Sequence, residues 1–423
     1  MTASPLNLQS IWAATAPAAP VLPPLRESAR ADVLVIGGGF QGLSTALHLA
    51  EAGVDVMLLE TEQAGFGASG RNGGQVIPGL KDDPDVLDAL WGPQATEFAG
   101  RTADTLFALV ERLGIDCDAE RGGWIQAGNK RVHLAGLRAR MTQWQARGAD
   151  VDWLDAAGMA RATGARGFQG GWLDRRAGKL HPLKLAYGLA EAARRAGARL
   201  YAGSPVETLE RAQGGWRARL AAGPEVTADR VVLATNAYTP GTLDRALARA
   251  VVPAHSFQIA TEPLSDEQLS RVLPGGACAS EIRRVGTYFR IGPENRLMIG
   301  GRGSFSEPRR ASDFAALEAE LAALYGPGFK VSHRWFGRVA MTPDHRIRLC
   351  APAPGLLAAT GFNGRGVALS VALGQAMAAH LARGTPLPIP ADTRIRSLPL
   401  HGLHPVYGGI AIHYYRLRDR LDR

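Results

Sequence analysis

ADVLVIGGGFQGLSTALHLA (31–50), followed by VDVMLLE (54–60), decides the fold of this chain. Asp32–Ile36 is an apolar, β-branched run of the kind a buried parallel strand needs. Gln41–Gly53 reads as a helix, and Val54–Leu59 as a second strand ending on Glu60. Between strand and helix stands Gly37-x-Gly39-x-x-Gly42. Gly37 allows the tight turn, Gly39 lets the backbone approach a pyrophosphate, and Gly42 brings helix and strand together. Free N–H groups at the helix start suit phosphate oxygens, and Glu60, 18 residues beyond Gly42, suits ribose hydroxyls. Glycine patterns like this arise by chance in a chain with 51 glycines, so the order of strand, glycines, helix, strand and acid carries the argument. A bound dinucleotide is expected.

At 423 residues the chain has room for two domains, or for one large α/β domain with a second inserted. Its net charge of +9 comes from arginines spread along the chain, with no aromatic-interleaved basic stretch, so nucleic acid is not an expected partner. Cys117, Cys278 and Cys350 are far apart and form no CxxC, which suits a reducing cytoplasm and argues against a disulfide framework. The ten histidines show no ligand spacing, and no metal site is expected. Ile11–Leu25 carries four prolines and no basic leader; it reads as an extended strap rather than a signal peptide or membrane helix. Leu356–Ala382 is apolar, but Asn363, Arg365, Gln375 and His380 would be stranded in lipid, so no membrane span is expected.

Ala64–Gly79 (AGFGASGRNGGQVIPG) is too glycine-dense for scaffold and is expected to wrap a ligand. Ala95–Leu113 and Val132–Arg147 fit helices outside the first sheet, with a strand at Gly122–Gln126. Pro182–Gly197 is a helix opened by proline and closed by glycine. Arg199–Ala202, Val206–Ala212, Trp216–Leu220 and Val226–Leu233 read as short strands, so that a helix, a β-meander and a return strand would complete the nucleotide-binding domain. Thr287–Ile291 and Arg296–Ile299 flank the turn GPEN, and Asp313–Leu324 is helical with Ser312 as its N-cap. Leu356–Thr360 is a last buried strand leading through Gly361-Phe-Asn-Gly-Arg-Gly366 into the helix Val367–Ala382. This second glycine turn repeats the logic of the first but lacks a ribose-binding acid downstream. The simpler reading is that both helix starts face one ligand from different sides. If the ligand is FAD, the far helix start would stabilise the anionic reduced ring.

With these pieces assembled, the chain resembles the D-amino-acid-oxidase-like superfamily of FAD-dependent oxidoreductases, which includes glycine and sarcosine oxidases. It is most like the γ-glutamylputrescine-oxidase-like branch. The resemblance rests on residues 31–50, GFGASGRNGGQVIPG (65–79), VVLATNAYTP (231–240), and WFGRVAMTPDHRI through GFNGRGVALSVALGQAMA (335–378). It implies an α/β fold: a three-layer FAD-binding Rossmann-like domain with parallel sheet and β-meander, plus an α+β substrate domain with a mostly antiparallel sheet. The expected division is 1–92, 170–240 and 335–384 for FAD, 93–169 and 241–334 for substrate, and 385–423 as a C-terminal extension. It also implies non-covalent FAD held by Gly37, Gly39, Gly42 and Glu60, with Phe40, Gln41 and Thr61 beside them. Ser69, Arg71, Asn72, Gly73, Gly74 and Gln75 would run along the flavin and pyrophosphate. Val206 would meet adenine, Thr235 and Asn236 would close over the cofactor, and Gly361, Asn363, Gly364 and Gly366 would touch the ring edge. VAMTPD (339–344) contains no cysteine for covalent attachment.

Two positions depart from the sarcosine-oxidase pattern: Ala368 stands where a carboxylate-binding lysine is found, and Met298 stands near the oxygen-activating lysine. The first suggests a substrate without an α-carboxylate in the usual place, such as a γ-glutamylated diamine. The second leaves the acceptor open between oxygen and another electron carrier. The expected chemistry is hydride removal from the carbon beside a neutral amine nitrogen, followed by imine hydrolysis. That demands no strong enzymic base, and no dyad or triad motif is present. Arg71 is the leading catalytic candidate, as a cation beside the flavin. Tyr288, Arg290 and Arg302 lie on or after the strands expected to roof the flavin, and Arg290 or Arg302 could hold a substrate carboxylate. Trp335 is a candidate pocket wall, and Asp344 and His345 receive no role. The alternatives are an amino acid dehydrogenase feeding a quinone or carrier, a nicotinamide enzyme (for which the later glycine loops would have no use), and a flavoprotein acting on tRNA.

Overall fold

Parallel pairing around Ala29–Ile36 organises the first sheet. Ile36 stands opposite Leu59 of Val56–Leu59 on one side and Leu233 of Glu225–Leu233 on the other. Arg199–Tyr201 and Leu356–Thr360 extend the parallel set outward, and antiparallel Arg348–Ala353 closes one edge. The computed structural model describes residues 8–422, so residues 1–7 and Arg423 of the expected terminal segments lie outside it. Val33–Ile36 and Val56–Leu59 are buried on both faces. Val33, Val35, Val56 and Leu58 pack on the helices Phe40–Glu51, Pro93–Leu113, Pro182–Arg195 and Gly366–Arg383. Leu34, Ile36, Met57 and Leu59 pack on the meander formed by Val206–Ala212, Gly215–Leu220 and Glu225–Leu233. The expected three layers are helices, sheet and meander. Such two-sided burial is why these strands read as continuous apolar runs.

The second sheet runs in the order Val331–Met341, Val252–Pro263, Arg296–Arg302, Thr287–Ile291, Cys278–Glu281, Trp124–Gly128, Gly170–Asp174, Val151–Asp155. Only Cys278–Glu281 and Trp124–Gly128 pair in parallel; the rest are antiparallel, as expected. Its outer face packs against Ala315–Tyr325 through Leu317, Leu321 and Leu324.

Sheet membership moves the domain boundaries drawn from the sequence. Gly170–Asp174 and Val331–Met341 are strands of the second sheet, so the edges at 170 and 335 cut through it. Pro93–Leu113, expected with the substrate domain, buries Ala95, Ala103 and Leu106 in the first core. Ser312 caps nothing: it lies within a 3₁₀ turn, and the Asp313 carboxylate accepts from the N–H groups of Arg309 and Arg310 instead. The strap begins not as extended chain but as the short helix Ile11–Thr15, capped by Ser10, with Trp12 wholly buried.

Candidate active site

Two helices start at the C-terminal ends of parallel strands and cross in direct contact. Ser44 of Phe40–Glu51 donates to the Val371 carbonyl of Gly366–Arg383 at 2.7 Å. A Cβ on Gly374 would stand 2.6 Å from the Gln41 carbonyl oxygen, so only glycine permits this approach. Ahead of the first helix, Gly37 turns at φ +112°, where a Cβ would meet the Ala234 carbonyl at 2.8 Å. Two residues on, the Asn236 side-chain oxygen accepts from Thr360 Oγ1 at 3.0 Å and from the Gly361 N–H at 3.2 Å. The two glycine turns thus meet across residues 234–236. Neither helix takes a side-chain bond from its own N-cap residue, leaving N–H groups at both starts for a ligand. Ser69 Oγ accepts from Phe40 N–H at 2.9 Å, bringing the next glycine segment onto the first turn.

Glu60 is held at the end of its strand, where its carboxylate accepts from the backbone N–H groups of Gly38 (2.5 Å) and Glu62 (3.0 Å). Burial raises its pKa despite these bonds. Thr61 is exposed beside it, and Val206 opens the meander near the Glu60 backbone, whose carbonyl accepts from Ser204 N–H. Thr235 Oγ1 pairs with Thr239 Oγ1 at 2.7 Å. Gln41 donates to Met377 Sδ, and its buried Oε1 has no partner among the described residues.

The segment Ala68–Gln75 is fixed from three directions. Within it, the Asn72 side chain donates to the Ala68 and Ser69 carbonyls and accepts from Gly74 N–H. From the second sheet, Trp335 Nε1 (3.0 Å) and Gln258 Nε2 (2.5 Å) both donate to the Arg71 carbonyl, while Gln75 donates to the carbonyls of Ala279 and Phe289. From the strap, Trp12 Nε1 donates to the Asn72 carbonyl at 2.8 Å. Trp335 is therefore an anchor for this loop rather than a pocket wall. Trp12 and Gln258 were not singled out in the sequence, because their role depends on distant backbone carbonyls.

Between this loop, the second glycine turn and the second sheet lies a cavity of about 550 Å³. Arg71, Asn72, Gly73, Gln75, Tyr288 and Arg302 line it, as do Asn363 and Gly364; the 37–42 turn lies outside it. Tyr288 bonds to Ser256 Oγ at 2.9 Å, and burial pushes its phenol up to about 12. Arg71 lies over the Phe66 ring at 4.5 Å. The Asn363 side chain is already committed, accepting from Thr342 N–H and donating to the Gly361 carbonyl, so it shapes the turn. Arg290 is a correction to the sequence reading. It is 4% exposed, donates to the carbonyls of Gly74 (3.0 Å) and Leu180 (2.7 Å), and does not line the cavity. Met298 is buried against Trp12 and Trp335, and Ala368 lies in the first core, so neither faces the cavity. Asp344 and His345, left without a role, both line it.

Lys81 and Arg365 also line the cavity and were missed as candidates. The signal for Arg365 was its place inside the second glycine turn; for Lys81 it was only its position just after the first long glycine loop. Among the described residues no group of histidines, cysteines and carboxylates is arranged to hold a metal. No helix is long and apolar enough to cross a membrane.

Cradles open to backbone approach, two helix starts with free N–H groups and a carboxylate at the second strand's end fit a bound FAD. The family model described as FAD dependent oxidoreductase matches residues 32–380. The chain belongs to this FAD-dependent family. Among curated relatives of these oxidoreductases, the Escherichia coli (strain K12) protein named gamma-glutamylputrescine oxidoreductase is 33% identical, over 98% of this chain and 99% of its own length. A Rhizobium meliloti (strain 1021) protein named probable oxidoreductase OrdL is 30% identical over 99% of both. Among solved structures, glycine oxidase from Geobacillus kaustophilus superposes with a TM-score of 0.72 at 23% identity, covering 85% of this chain and 96% of that one. L-proline dehydrogenase from P.horikoshii gives 0.73 at 18%, covering 86% and 96%. The two-sheet fold is shared. The protein is an FAD-dependent oxidoreductase of the kind acting on amines or amino acids.

Proposed function

We propose that this enzyme oxidises the C–N bond of a small amine, with the γ-glutamylated diamines as the nearest substrate model and oxygen as acceptor. The observation that carries the reading is the cavity itself: it opens between the Ala68–Gln75 loop and the second glycine turn, the two segments assigned to the flavin ring. Whole-length identity with a protein named for γ-glutamylputrescine supports the substrate model. FAD, when bound, would supply the two-electron oxidant, taking a hydride from the carbon next to nitrogen while the nitrogen gives up a proton. The resulting imine then takes up water and yields a carbonyl and the smaller amine.

The chain's own contribution is positioning and charge. Trp12, Trp335 and Gln258 hold the loop carbonyls of Arg71 and Asn72, fixing where the loop N–H groups point. Arg71 and Arg302 line the cavity without carboxylate partners among the described residues, and their charge disfavours an ammonium nearby. A substrate amine is thereby kept in the neutral form whose lone pair supports the departing hydride. Tyr288, held by Ser256, supplies a neutral polar wall. A second reading, a dehydrogenase passing electrons to a carrier, draws support from the methionine at position 298, near where the resemblance places the oxygen-activating lysine.

Anaerobic addition of polyamines, γ-glutamyl diamines, D-amino acids and N-methyl glycines should bleach the flavin absorbance with one of these classes. No bleaching by any amine ends the proposal. Hydrogen peroxide formed in proportion to product supports oxygen as acceptor; its absence supports the carrier.

A further inference from the structure

The helix His404–Leu421 lies beyond residue 380, where the match to the family model ends. Its inner side packs on the second domain. A Cβ on Gly408 would stand 2.3 Å from the Phe305 ring, and Ile412 is buried. The Asp419 carboxylate accepts from the Arg284 guanidinium and from the Val285 N–H, both at 3.0 Å. The outer side is different. Of the fourteen large apolar or aromatic side chains exposed among the described residues, nine lie between Leu400 and Leu421. Six of these, Leu403, Tyr407, Ile410, Tyr414, Leu417 and Leu421, follow one another in alternating steps of four and three, which sets them in one line opposite Ile412. With Val406 beside that line they leave roughly 800 Å² uncovered, about what each partner contributes to a stable interface of standard size. No carboxylate of the helix lies on this side: Asp419, and Asp422 just after it, both turn inward to Arg284.

We propose that this stripe pairs with the same stripe of a second copy of the chain, the two helices running antiparallel about a two-fold axis near residue 412. A four-three rhythm of apolar residues fits another helix, and this line is complementary to its own reverse. Run antiparallel, Leu403 stands opposite Leu421 of the partner subunit, Tyr407 opposite Leu417 of the partner subunit, and Ile410 opposite Tyr414 of the partner subunit. Each tyrosine thereby faces an aliphatic side chain, and each contact occurs twice, as a two-fold interface demands. Parallel pairing would instead set each tyrosine on its own copy and bring the two arginine-bearing ends (Arg416, Arg418 and Arg420) together. Antiparallel pairing sends Arg418 towards Val406 of the partner subunit, away from the second set of arginines. A lipid surface fits less well. A helix lying on lipid needs a cationic side facing water, whereas the side opposite this stripe is packed on protein and holds Asp419. The pairing is independent of which amine the enzyme oxidises.

Light scattering after gel filtration of the FAD-loaded full chain tests the pairing: the mass should be twice the 44.9 kDa of one chain. Ile410→Glu combined with Tyr414→Glu sets like charges in the central layers. That variant should run at the mass of a single chain yet keep its flavin content and circular dichroism, since both side chains are exposed. Val21→Glu, at an exposed apolar residue far along the sequence, should remain a dimer. Oxidative cross-linking reads the direction. Leu403 and Leu421 stand about 27 Å apart along the helix, too far for a disulfide within one chain. The three native cysteines are buried and do not interfere. Leu403→Cys combined with Leu421→Cys should give a covalent dimer on a denaturing gel, and neither substitution alone should. Cross-linking by both single variants overturns the antiparallel arrangement. Single-chain mass for the wild type, with or without adsorption to anionic lipid vesicles, overturns the interface, as does a dimer that survives Ile410→Glu with Tyr414→Glu.

Discussion

The indole N–H of Trp335 donates to the backbone carbonyl of Arg71 at 3.0 Å, joining the second sheet to the loop that runs beneath it. Gln258, on the neighbouring strand, donates to the same oxygen, and Trp12 of the strap secures the next carbonyl along. The loop is glycine-rich and has little rigidity of its own. Its shape is imposed by donors from three separate parts of the chain.

Trp335→Phe removes one donor while keeping most of the buried ring. A single such bond contributes about 1 kcal/mol, so FAD should bind roughly fivefold more weakly. Trp335→Ala adds a cavity and should cost about 3–5 kcal/mol of stability. Flavin fluorescence titration of the apoprotein and thermal melts measure the two effects.

Arg290 and Arg302 should separate cleanly. Arg290→Gln strands the Gly74 and Leu180 carbonyls in the interior, costing about 2–4 kcal/mol and lowering Tm. Arg302→Gln should leave Tm nearly unchanged and raise KM. Differential scanning fluorimetry beside steady-state kinetics decides; the reverse pattern would return Arg290 to the substrate.

Gly42→Ala should yield FAD-free or misfolded protein, because the new methyl would press into the Gly37 carbonyl. Gly136→Ala is the control. Gly136 is exposed within Arg131–Gln145 and a Cβ there meets nothing, so alanine should stabilise by about 0.5–1 kcal/mol. Flavin content and melts of the two variants give the comparison.

His181 makes the strap acid-sensitive. It is fully buried, accepts from Lys184 N–H at Nδ1 and meets Thr15 Oγ1 at 3.1 Å through Nε2, beside the Trp12 ring. Burial holds its pKa down at about 4, below the unfolded value near 6.5. Between those values the unfolded chain binds more protons, so stability should fall as pH drops from about 6.5 to about 4 and level off below. Urea melts across that range should lose part of this slope in His181→Gln.

The first sheet was legible because its strands are buried on both faces and punctuated by Gly37, Gly42 and Gly361. Glu60, the meander and the second glycine turn followed from the same local grammar. Val331–Met341 was not read as a strand of the second sheet, because RWFGRV mixes arginines with aromatics and its partner, Val252–Pro263, lies far away in sequence. Arg290 looked like a substrate ligand because nothing local reveals that carbonyls from residues 74 and 180 enclose it. Lys81 and Arg365 escaped notice for the same reason: their shared cavity exists only after both sheets have packed. Local punctuation reports turns, whereas charge clusters report tertiary neighbours.

Titration of FAD into the apoprotein tests most directly whether both glycine turns serve one dinucleotide. The account predicts one FAD per chain, with binding weakened at least tenfold both by Gly39→Val in the first turn and by Gly364→Asp in the second. Gly364 has φ +77° and open space around it, and aspartate tolerates that conformation, so the second variant should fold. Two FAD molecules per chain, or wild-type affinity in Gly364→Asp, would contradict it.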